Sequence, residues 1–348
     1  MSPDIEPPTD PLLSIEGLTV VFPTDDGLVY AVTDMSLSVW PGEVVAVVGE
    51  SGSGKSVTAM SVLGLVREPP ARILSGKVKF RGNDLRTISK KQLRAIRGGP
   101  VGMIFQDPMT TLNPVMTIGA QIIEALQLHK DKMGKKAARQ RARELLELVG
   151  VPNPEVRLRQ YPHEFSGGMR QRAMIAMAIA NEPELIIADE PTTALDVTIQ
   201  AQVLGLLKRA QQETGAATIL ITHDLGVVAE LADRVVVMYA GRAVETAGVI
   251  ELFDAPLHPY TLGLLASLPR MDVDADSLDP IPGSPPDMAN PPSGCSFNPR
   301  CPLVRERCRT ERPELLDIGN GRHSACHFHT ELVGIDRRKL FAKTEVTR

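Results

Sequence analysis

The residues from Gly49 to Ser56, GESGSGKS, have the types and spacing of a phosphate-binding loop. They fit the pattern G-x-x-x-x-G-K-[ST], in which backbone N–H groups surround the phosphates, the lysine contacts the β and γ phosphates, and the hydroxyl holds Mg²⁺. Lys55 and Ser56 take these two roles. A chance glycine-rich turn is disfavoured, because the loop lies between a predicted buried strand and a helix whose positive end would point at the anion. The other loop residues predicted to contact the phosphates are Gly49, Glu50, Ser51, Gly52, Ser53 and Gly54.

Two adjacent carboxylates follow an apolar segment in LIIADEPTTALD, residues 185–196. Asp189 could hold Mg²⁺ through water, and Glu190 could polarise an attacking water. Taken alone, such a pair is more often the solvated end of a strand. Because the same chain carries a phosphate-binding loop, we interpret this pair as catalytic.

Two further polar residues come directly after predicted core strands. His223 follows the apolar run in ILITHDL, where it could contact the γ-phosphate, and Gln106 follows the strand in MIFQDP. Taken alone, both are ordinary, since a histidine there is usually a cap or surface residue and a glutamine is a polar loop residue.

A second candidate phosphate site lies in FSGGMRQR, residues 165–172. Ser166 is a preferred helix N-cap, so an ordinary helix start would explain it. The consecutive Gly167 and Gly168 are harder to explain that way, because they open the helix N-terminus to close approach by an anion.

The elements that must position these residues alternate between strands and helices. Alternating apolar residues predict half-buried strands near the N-terminus, and short continuous apolar runs predict buried strands. The predicted strands are Leu13–Phe22, Ala31–Val39, Glu43–Gly49, VGMIF, LIIAD, ATILIT and RVVVMYA, and the clearest helices are Lys135–Gly150 and Thr198–Thr214. This order predicts an α/β fold with a largely parallel sheet. A mostly helical subdomain is inserted between about residues 107 and 184.

Composition excludes several classes of function. The 348 residues carry a net charge of −4 and are only 4% aromatic, which argues against a nucleic-acid-binding surface. The N-terminal MSPDIEPPTDP has neither the basic nor the apolar region of a secretory signal. Apolar runs such as MIAMAIA are far shorter than the roughly 20 residues that span a bilayer. We therefore expect a cytosolic chain whose membrane role would come through a partner.

All four cysteines lie near the C-terminus, with the spacing C-x₅-C-x₆-C-x₁₇-C from Cys295 through Cys301 and Cys308 to Cys326. Structural disulfides are rare in the reducing cytosol. Zinc sites usually show paired C-x₂₋₄-C knuckles, which this spacing lacks, and four thiolates can also hold an iron–sulfur cluster. The residues predict a four-cysteine metal site and leave zinc and a cluster nearly equal, with four free thiols as the alternative.

Taken together, these motifs resemble the ATP-binding cassette (ABC) family of transport ATPases, over roughly residues 12–248. The Walker A loop, Q-loop, signature, Walker B strand with its glutamate, D-loop and switch histidine correspond in that order to Gly49–Ser56, Gln106, Ser166–Met169, Leu185–Asp189 with Glu190, Ala194–Asp196 and His223. The signature departs slightly from the family pattern, because Phe165 stands where leucine is commoner and Met169 where glutamine is. Neither change replaces a phosphate-facing residue.

The resemblance implies that two cassettes pair head to tail, so that the signature of one covers the ATP held by the other. On this basis the catalytic residues are Glu190, His223 and Gln106, and the Mg²⁺ ligands are Ser56, Gln106 and Asp189. Asp196 and the signature residues belong to the nucleotide site. An aromatic ring usually stacks on the adenine, for which Phe22 is the first choice and Tyr30 the second, with core packing as the alternative.

The C-terminal part narrows the resemblance. LHPYTLGLLASLP at Leu257–Pro269, a proline-rich linker, CSFNPRCP and ACH look like the oligopeptide, dipeptide and nickel importer branch, up to about His329. The branch implies an ATP-hydrolysing subunit for peptide uptake, held at the cytoplasmic face of the cell membrane by two permease subunits. Its other partners would be a second homologous ATPase and an external substrate-binding protein. The branch also favours a 4Fe-4S cluster on the four cysteines, with Zn²⁺ as the alternative.

Two other functions stay open at this point. The same importer class could carry nickel or another small solute. A soluble ABC ATPase is less favoured, because only 60 residues separate Gln106 from Ser166 and leave little room for a long coiled-coil insertion.

The predicted organisation is a disordered lead-in at 1–11, an ABC ATPase domain at 12–255 with its helical subdomain at about 107–184, a C-terminal helix and proline-rich linker at 256–294, a cysteine-rich iron–sulfur module at 295–329 and a charged tail at 330–348.

Overall fold

The computed structural model describes residues 10–25, 27–129, 133–192, 197–268, 281–335 and 340–341. Its strands are β1 Leu13–Thr24, β2 Gly27–Val39, β3 Val44–Val48, β4 Arg72–Phe80, β5 Asn83–Asp84, β6 Val101–Ile104, β7 Leu185–Asp189, β8 Ala217–Ile221, β9 Arg234–Tyr239, β10 Arg242–Gly248, β11 Leu316–Asp317 and β12 His323–Ser324. Its helices are α1 Lys55–Val62, α2 Lys90–Ile96, α3 Pro108–Thr111, α4 Ile118–His129, α5 Lys135–Leu148, α6 Pro154–Arg157, α7 Gly167–Ala178, α8 Val197–Thr214, α9 Leu225–Leu231, α10 Val249–Asp254, α11 Pro259–Ala266 and α12 Glu306–Thr310.

These elements form two compact units, each assembled from several segments of the chain. The first unit contains the residues up to Ser14 together with Ser38–Val44 and Val78–Ile221. The second unit contains Ile15–Leu37, Val45–Lys77 and the residues from Thr222 onwards. The candidate site residues are therefore described unit by unit.

The first unit contains a parallel sheet in which β7 lies between β6 and β8. Every residue of β7 and β8 is buried, as expected for parallel strands covered on both faces. This burial explains why LIIAD and ATILI are continuous apolar runs rather than alternating patterns. The carboxyl ends of β6 and β7 lie at the same edge of the sheet, so the residues that follow them come close together.

Helices occupy most of the first unit between β6 and β7. Helix α5 buries one face through Ala138, Ala142, Leu145 and Leu146, at the i, i+4 spacing of an amphipathic helix. The opposite face is charged and carries exposed ion pairs. Helix α7 is mostly apolar and buries most of its length. Helices α3 to α7 all lie between about residues 107 and 184.

In the second unit, β9 pairs in parallel with β3 and antiparallel with β10. Strand β10 pairs in turn with β12, and β12 pairs with β11. The last two strands lie after the first three cysteines in sequence, so the cysteine-rich segment extends the sheet of this unit. A single hydrophobic cluster joins the strands, α11 and that segment; its largest buried side chains include Tyr239, Tyr260, Phe297, Leu332 and Phe341.

The strand predictions agree well with the structure, and the α/β fold with parallel strands is confirmed. The sequence patterns did not predict β4, β10 or helix α2. Within the described part of the chain, none of the helices combines the length and the apolar character that crossing a bilayer requires.

Candidate nucleotide site and cysteine cavity

The phosphate-binding loop lies in the second unit, between β3 and α1, as the motif requires. Two of its glycines are needed for close packing of the backbone. Gly49 has a φ of +151°, and a Cβ atom there would overlap the carbonyl oxygen of Met238. Gly54 has a φ of +97°, and a Cβ atom there would overlap the carbonyl oxygen of Ala31. The loop is therefore held between neighbouring backbone segments that leave no space for side chains at these positions.

Lys55 is the first residue of α1 and is only 5% exposed. Its ammonium group donates hydrogen bonds to the carbonyl oxygens of Gly49 and Glu50 at 2.8 and 2.9 Å, and lies 3.4 Å from the Ser53 hydroxyl. These contacts fix the charge within the loop rather than in solvent. Ser56, the predicted Mg²⁺ ligand, follows directly and is half-buried.

Glu50 makes contacts that the sequence did not indicate. Its backbone N–H donates to the Tyr260 hydroxyl at 2.8 Å. Its carboxylate accepts two hydrogen bonds from the guanidinium of Arg300, at 2.6 and 2.9 Å. Tyr260 and Arg300 both belong to the C-terminal part of the second unit, which therefore contacts the loop directly.

In the first unit, Glu190 and Gln106 lie together. Gln106 follows β6 and Glu190 follows β7, and the Gln106 side-chain amide donates to a Glu190 carboxylate oxygen at 2.9 Å. Glu190 has a positive φ of 45°, a conformation that is costly for a residue other than glycine and is typical of functional sites. Its N–H donates to the carbonyl oxygen of Ile221 at 2.9 Å. Asp189, the last residue of β7, is buried.

The predicted signature also lies in the first unit. Ser166 is the N-cap of α7, and its hydroxyl accepts from the N–H of Met169 at 3.3 Å. Ser166 and Gly167 are exposed, whereas Phe165 is buried, so the phenylalanine that replaces leucine fills an apolar position. The Gln171 amide donates to the carbonyl oxygen of Pro191 at 2.6 Å, which ties α7 to the chain just beyond Glu190.

Three other predicted nucleotide residues lie in the second unit. His223 is exposed and precedes α9 in the second unit, where Asp224 caps the helix by accepting from two backbone N–H groups. Phe22 and Tyr30 are half-buried in β1 and β2. The Tyr30 N–H donates to the carbonyl oxygen of Met288. Asp196 lies outside the described residues.

The four cysteines line one cavity of about 80 Å³ in the second unit. All four are free thiols, and Cys308 is buried while the other three are half-buried. Burial raises the pKa of Cys301 to about 12 and that of Cys326 to about 11. Other residues that line the cavity include Phe297, Leu303, His327, Phe328 and Leu332. Among the residues that the structure describes, no group of three or more His, Cys, Asp or Glu side chains is placed to hold a metal ion.

Backbone hydrogen bonds organise the segment around this cavity. The N–H of Cys295 donates to the carbonyl oxygen of Cys308 at 2.8 Å, and the N–H of Asn298 donates to the carbonyl oxygen of Cys295 at 2.9 Å. Gly294 has a φ of +69°, and a Cβ atom there would overlap the Cys308 carbonyl oxygen. Cysteines that are far apart in sequence are thereby brought to the wall of the same cavity.

Two family descriptions match this chain. Residues 32–193 match the family described as ABC transporter, and residues 244–308 match the C-terminal region of the oligopeptide/dipeptide transporter family. The second match begins within β10 and ends at the third cysteine. It therefore includes most of the segment that carries Tyr260 and Arg300.

Curated relatives and solved structures agree with these matches. The oligopeptide transport ATP-binding protein OppD of Mycobacterium tuberculosis is 54% identical over 93% of this chain, which spans 52% of that relative. The dipeptide transport ATP-binding proteins DppD of Bacillus subtilis and Escherichia coli are 55% and 50% identical, over 84% and 93% of this chain and 87% and 98% of their own lengths. The dimeric structure of MJ0796, a bacterial ABC transporter cassette, has a TM-score of 0.62 at 27% identity, over 68% of this chain and 98% of that chain. The chain thus spans about half the length of the mycobacterial relatives and nearly all of the Escherichia coli one.

Proposed function

Because the chain belongs to the ABC transporter family, among the ATP-binding subunits of the oligopeptide/dipeptide branch, we propose that it binds and hydrolyses ATP to drive peptide uptake. The observation that carries the proposal is that one chain combines a folded phosphate loop with a candidate general base, Glu190, held by the Gln106 amide. Family membership alone would not require the hydrogen bond between Gln106 and Glu190 to be formed. In this hydrogen bond the Gln106 amide is the donor, and the acceptor is the Glu190 carboxylate that would orient water.

The loop residues supply the binding part of the reaction. Lys55 would contact the β and γ phosphates, and the backbone N–H groups of the loop would surround them. Ser56, Asp189 and Gln106 would hold Mg²⁺, which neutralises charge on the phosphates when it is bound. Because the Lys55 ammonium is already fixed by loop carbonyls, little side-chain entropy would be lost when ATP binds.

The hydrolytic step would use Glu190 as the group that accepts a proton from the attacking water. The Gln106 amide donates to one of its oxygens, which orients the carboxylate. His223 would contact the γ-phosphate, and Asp196 would lie at the nucleotide. Phe22, or Tyr30 as second choice, would stack on the adenine.

We infer that a second cassette completes the site. Ser166 and Gly167 are exposed at the N-terminus of α7, a helix of 12 residues, where they could accept the phosphates of ATP bound to another chain. The cassette structure with which this chain shares its fold is dimeric. A homologous ATPase would be the second cassette, and two permease subunits with an external binding protein would form the rest of the importer. The chain would then lie at the cytoplasmic face of the membrane, held there by the permeases.

We also propose that the four cysteines hold a 4Fe-4S cluster. Four thiols on the wall of one cavity are the donor set that such a cluster takes. Zinc is the alternative, and it would draw the four ligands to about 2.3 Å around one ion. When bound, the cluster would cross-link four separated points of the segment 295–326. The predicted division into an ATPase domain, linker, cysteine module and tail is part of the same proposal.

Iron and acid-labile sulfide in anaerobically purified protein test the cluster. We expect about four of each per chain, and loss of both in a Cys301→Ser variant. Stoichiometric zinc without sulfide would show that the metal is wrong. A Ser293→Ala variant provides a control, since Ser293 lies two residues before Cys295 and does not line the cavity.

The hydrolytic role is tested with Glu190→Gln in the assembled transporter. We expect ATP binding to be retained and turnover to fall by about 10³-fold, because the variant removes the group that accepts the proton. Glu213→Gln is the matched control, since Glu213 is an exposed carboxylate on α8. Normal turnover in Glu190→Gln would rule out Glu190 as the base. Uptake of labelled dipeptides and of nickel by vesicles that contain the assembled transporter would then identify the cargo.

A further inference from the structure

We propose that Arg300 is a positioning residue of the phosphate loop, which orients the Glu50 carboxylate and neutralises its charge so that the loop can bind ATP. This inference rests on the proposed function, because it assigns a control of affinity to the same nucleotide site. Arg300 lies between the first two cysteines and 250 residues from Glu50 in sequence. The contact therefore connects the cysteine cavity to the phosphate loop within the second unit.

The geometry of the pair is that of a strong, specific ion pair. Both terminal nitrogens of Arg300 donate to the Glu50 carboxylate, at 2.6 and 2.9 Å, which is the bidentate arrangement. The Arg300 side chain is only 5% exposed and that of Glu50 is 28% exposed. Such a pair is far less screened by solvent than a surface ion pair, so its loss should perturb the phosphate loop.

The guanidinium of Arg300 has a partner for every donor. Besides the two bonds to Glu50, it donates to the carbonyl oxygens of Pro282 and Ile281 and to the Tyr239 hydroxyl, at 3.0, 3.2 and 3.3 Å. Five hydrogen bonds use all five N–H groups of an arginine. Although burial lowers the pKa of Arg300, its bonds to Glu50 and Tyr239 raise that pKa above the ordinary value. Arg300 is thus a fixed charge in a fixed orientation.

The same part of the protein holds the loop at two further points. The Tyr260 hydroxyl accepts the backbone N–H of Glu50 at 2.8 Å. The N–H of Gly241, which follows Tyr239 closely in the turn between β9 and β10, donates to the carbonyl oxygen of Ser53 at 3.1 Å. The backbone of the loop is therefore held at Glu50 and at Ser53. Arg300 adds a contact that also neutralises a loop side chain.

Arg300 is rigidly linked to the cysteine cavity. It directly precedes Cys301, and its N–H donates to the carbonyl oxygen of Phe297 at 3.0 Å. The Phe297 ring lines the cavity and packs edge-on against the Tyr239 ring, with centroids 5.2 Å apart. A change in the turn from Cys295 to Cys301 would therefore move the guanidinium relative to Glu50.

Electrostatics give the pair its function. A carboxylate in a loop that binds a triphosphate repels the ligand, unless a fixed cation neutralises it. Removing Arg300 would leave the Glu50 charge beside the phosphates. Removing both charges together would abolish that repulsion, so the double variant separates an electrostatic role from simple loss of structure.

ATP binding measured by titration calorimetry on the full-length chain, with EDTA to prevent hydrolysis, tests the inference. We expect Arg300→Met to weaken ATP binding about tenfold, within the usual range for coupling between two sites. Adding Glu50→Gln to Arg300→Met should recover most of the affinity. In the assembled transporter, Arg300→Met should raise the KM for ATP and leave kcat within about twofold. Arg307→Met is the control, because Arg307 forms an exposed ion pair with Glu311 in the same segment.

The outcomes distinguish this inference from the proposed function. If the wild-type chain does not bind ATP, the proposed function fails and the inference fails with it. If the wild type binds and Arg300→Met binds equally well, only the role of Arg300 is refuted. Equal weakness of Arg300→Met and the double variant also refutes it, since the effect would then be structural. Should Arg300→Met not fold, Arg300→Gln keeps an amide donor without the charge; affinity reduced about tenfold supports the role, and wild-type affinity overturns it.

Discussion

Replacing Phe297 with alanine should strongly destabilise the second unit. Phe297 is 1% exposed and packs against the rings of Tyr239, Tyr260 and His258, at centroid distances of 5.2, 5.5 and 5.9 Å. Truncating a buried phenylalanine costs about 3–5 kcal/mol, because apolar burial is lost and a cavity remains. Each aromatic pair adds about 0.5–1.5 kcal/mol beyond area, so the upper part of that range is expected.

Differential scanning calorimetry measures this effect. A unit of this size loses roughly 2–4 °C in Tm for each kcal/mol, so Phe297→Ala, at about 4–5 kcal/mol, should lower Tm by about 8–20 °C. Val333→Ala provides the matched control in the same segment, because Val333 is 66% exposed and should change stability by less than about 0.5 kcal/mol. A Tm shift for Phe297→Ala no larger than that of Val333→Ala would refute the view that the cysteine-rich segment is part of the core.

Two other predictions concern the same unit. Burial raises the pKa of Glu245 to about 7, so the free energy of unfolding falls by about 3 kcal/mol as pH rises from about 4.5 to 7, at 1.36 kcal/mol per pKa unit. Urea titrations at pH 5 and pH 8 measure this fall, which Glu245→Gln should reduce. An equal fall in the wild type and in Glu245→Gln would contradict the prediction. Gly54→Ala should weaken ATP binding more than tenfold by calorimetry, since a positive φ costs alanine about 1–2 kcal/mol and its Cβ would meet the Ala31 carbonyl oxygen. Gly205→Ala in α8 is the control, because nothing lies within 4 Å of a Cβ atom there. Equal affinities of the two variants for ATP would refute the steric argument.

The parts of the fold that follow from local pattern could be predicted from the sequence. Buried parallel strands such as β7 and β8 are continuous apolar runs, so periodicity and length identify them. Strand β10 was missed because its sequence, RAVETAG, places Glu245 and Thr246 at buried positions. The Glu245 carboxylate is accommodated there by the backbone N–H of Leu257, a partner that no local pattern reveals.

Contacts within the candidate site also divide into those that the sequence could predict and those that it could not. The approach of Gln106 and Glu190 could be expected, because each follows one of two neighbouring parallel strands whose carboxyl ends share an edge. The contact between Glu50 and Arg300 could not be expected, because it joins a loop after β3 to a turn without regular structure. In the sequence, NPRC reads only as a turn between two cysteines.

The cysteine-rich C-terminal segment supports the phosphate loop through the aromatic residues with which it packs. The spacing of its cysteines indicates a metal site in a proline-rich region, and such a region has too few apolar residues for a core of its own. The structure supplies the missing core from elsewhere, since Phe297 and Leu332 pack into the cluster that contains Tyr239 and Tyr260. Tyr260 also accepts the Glu50 N–H. The aromatic residues that anchor the cysteine segment are thus the ones that support the phosphate loop, so the segment cannot be displaced without disturbing the backbone on which Lys55 depends.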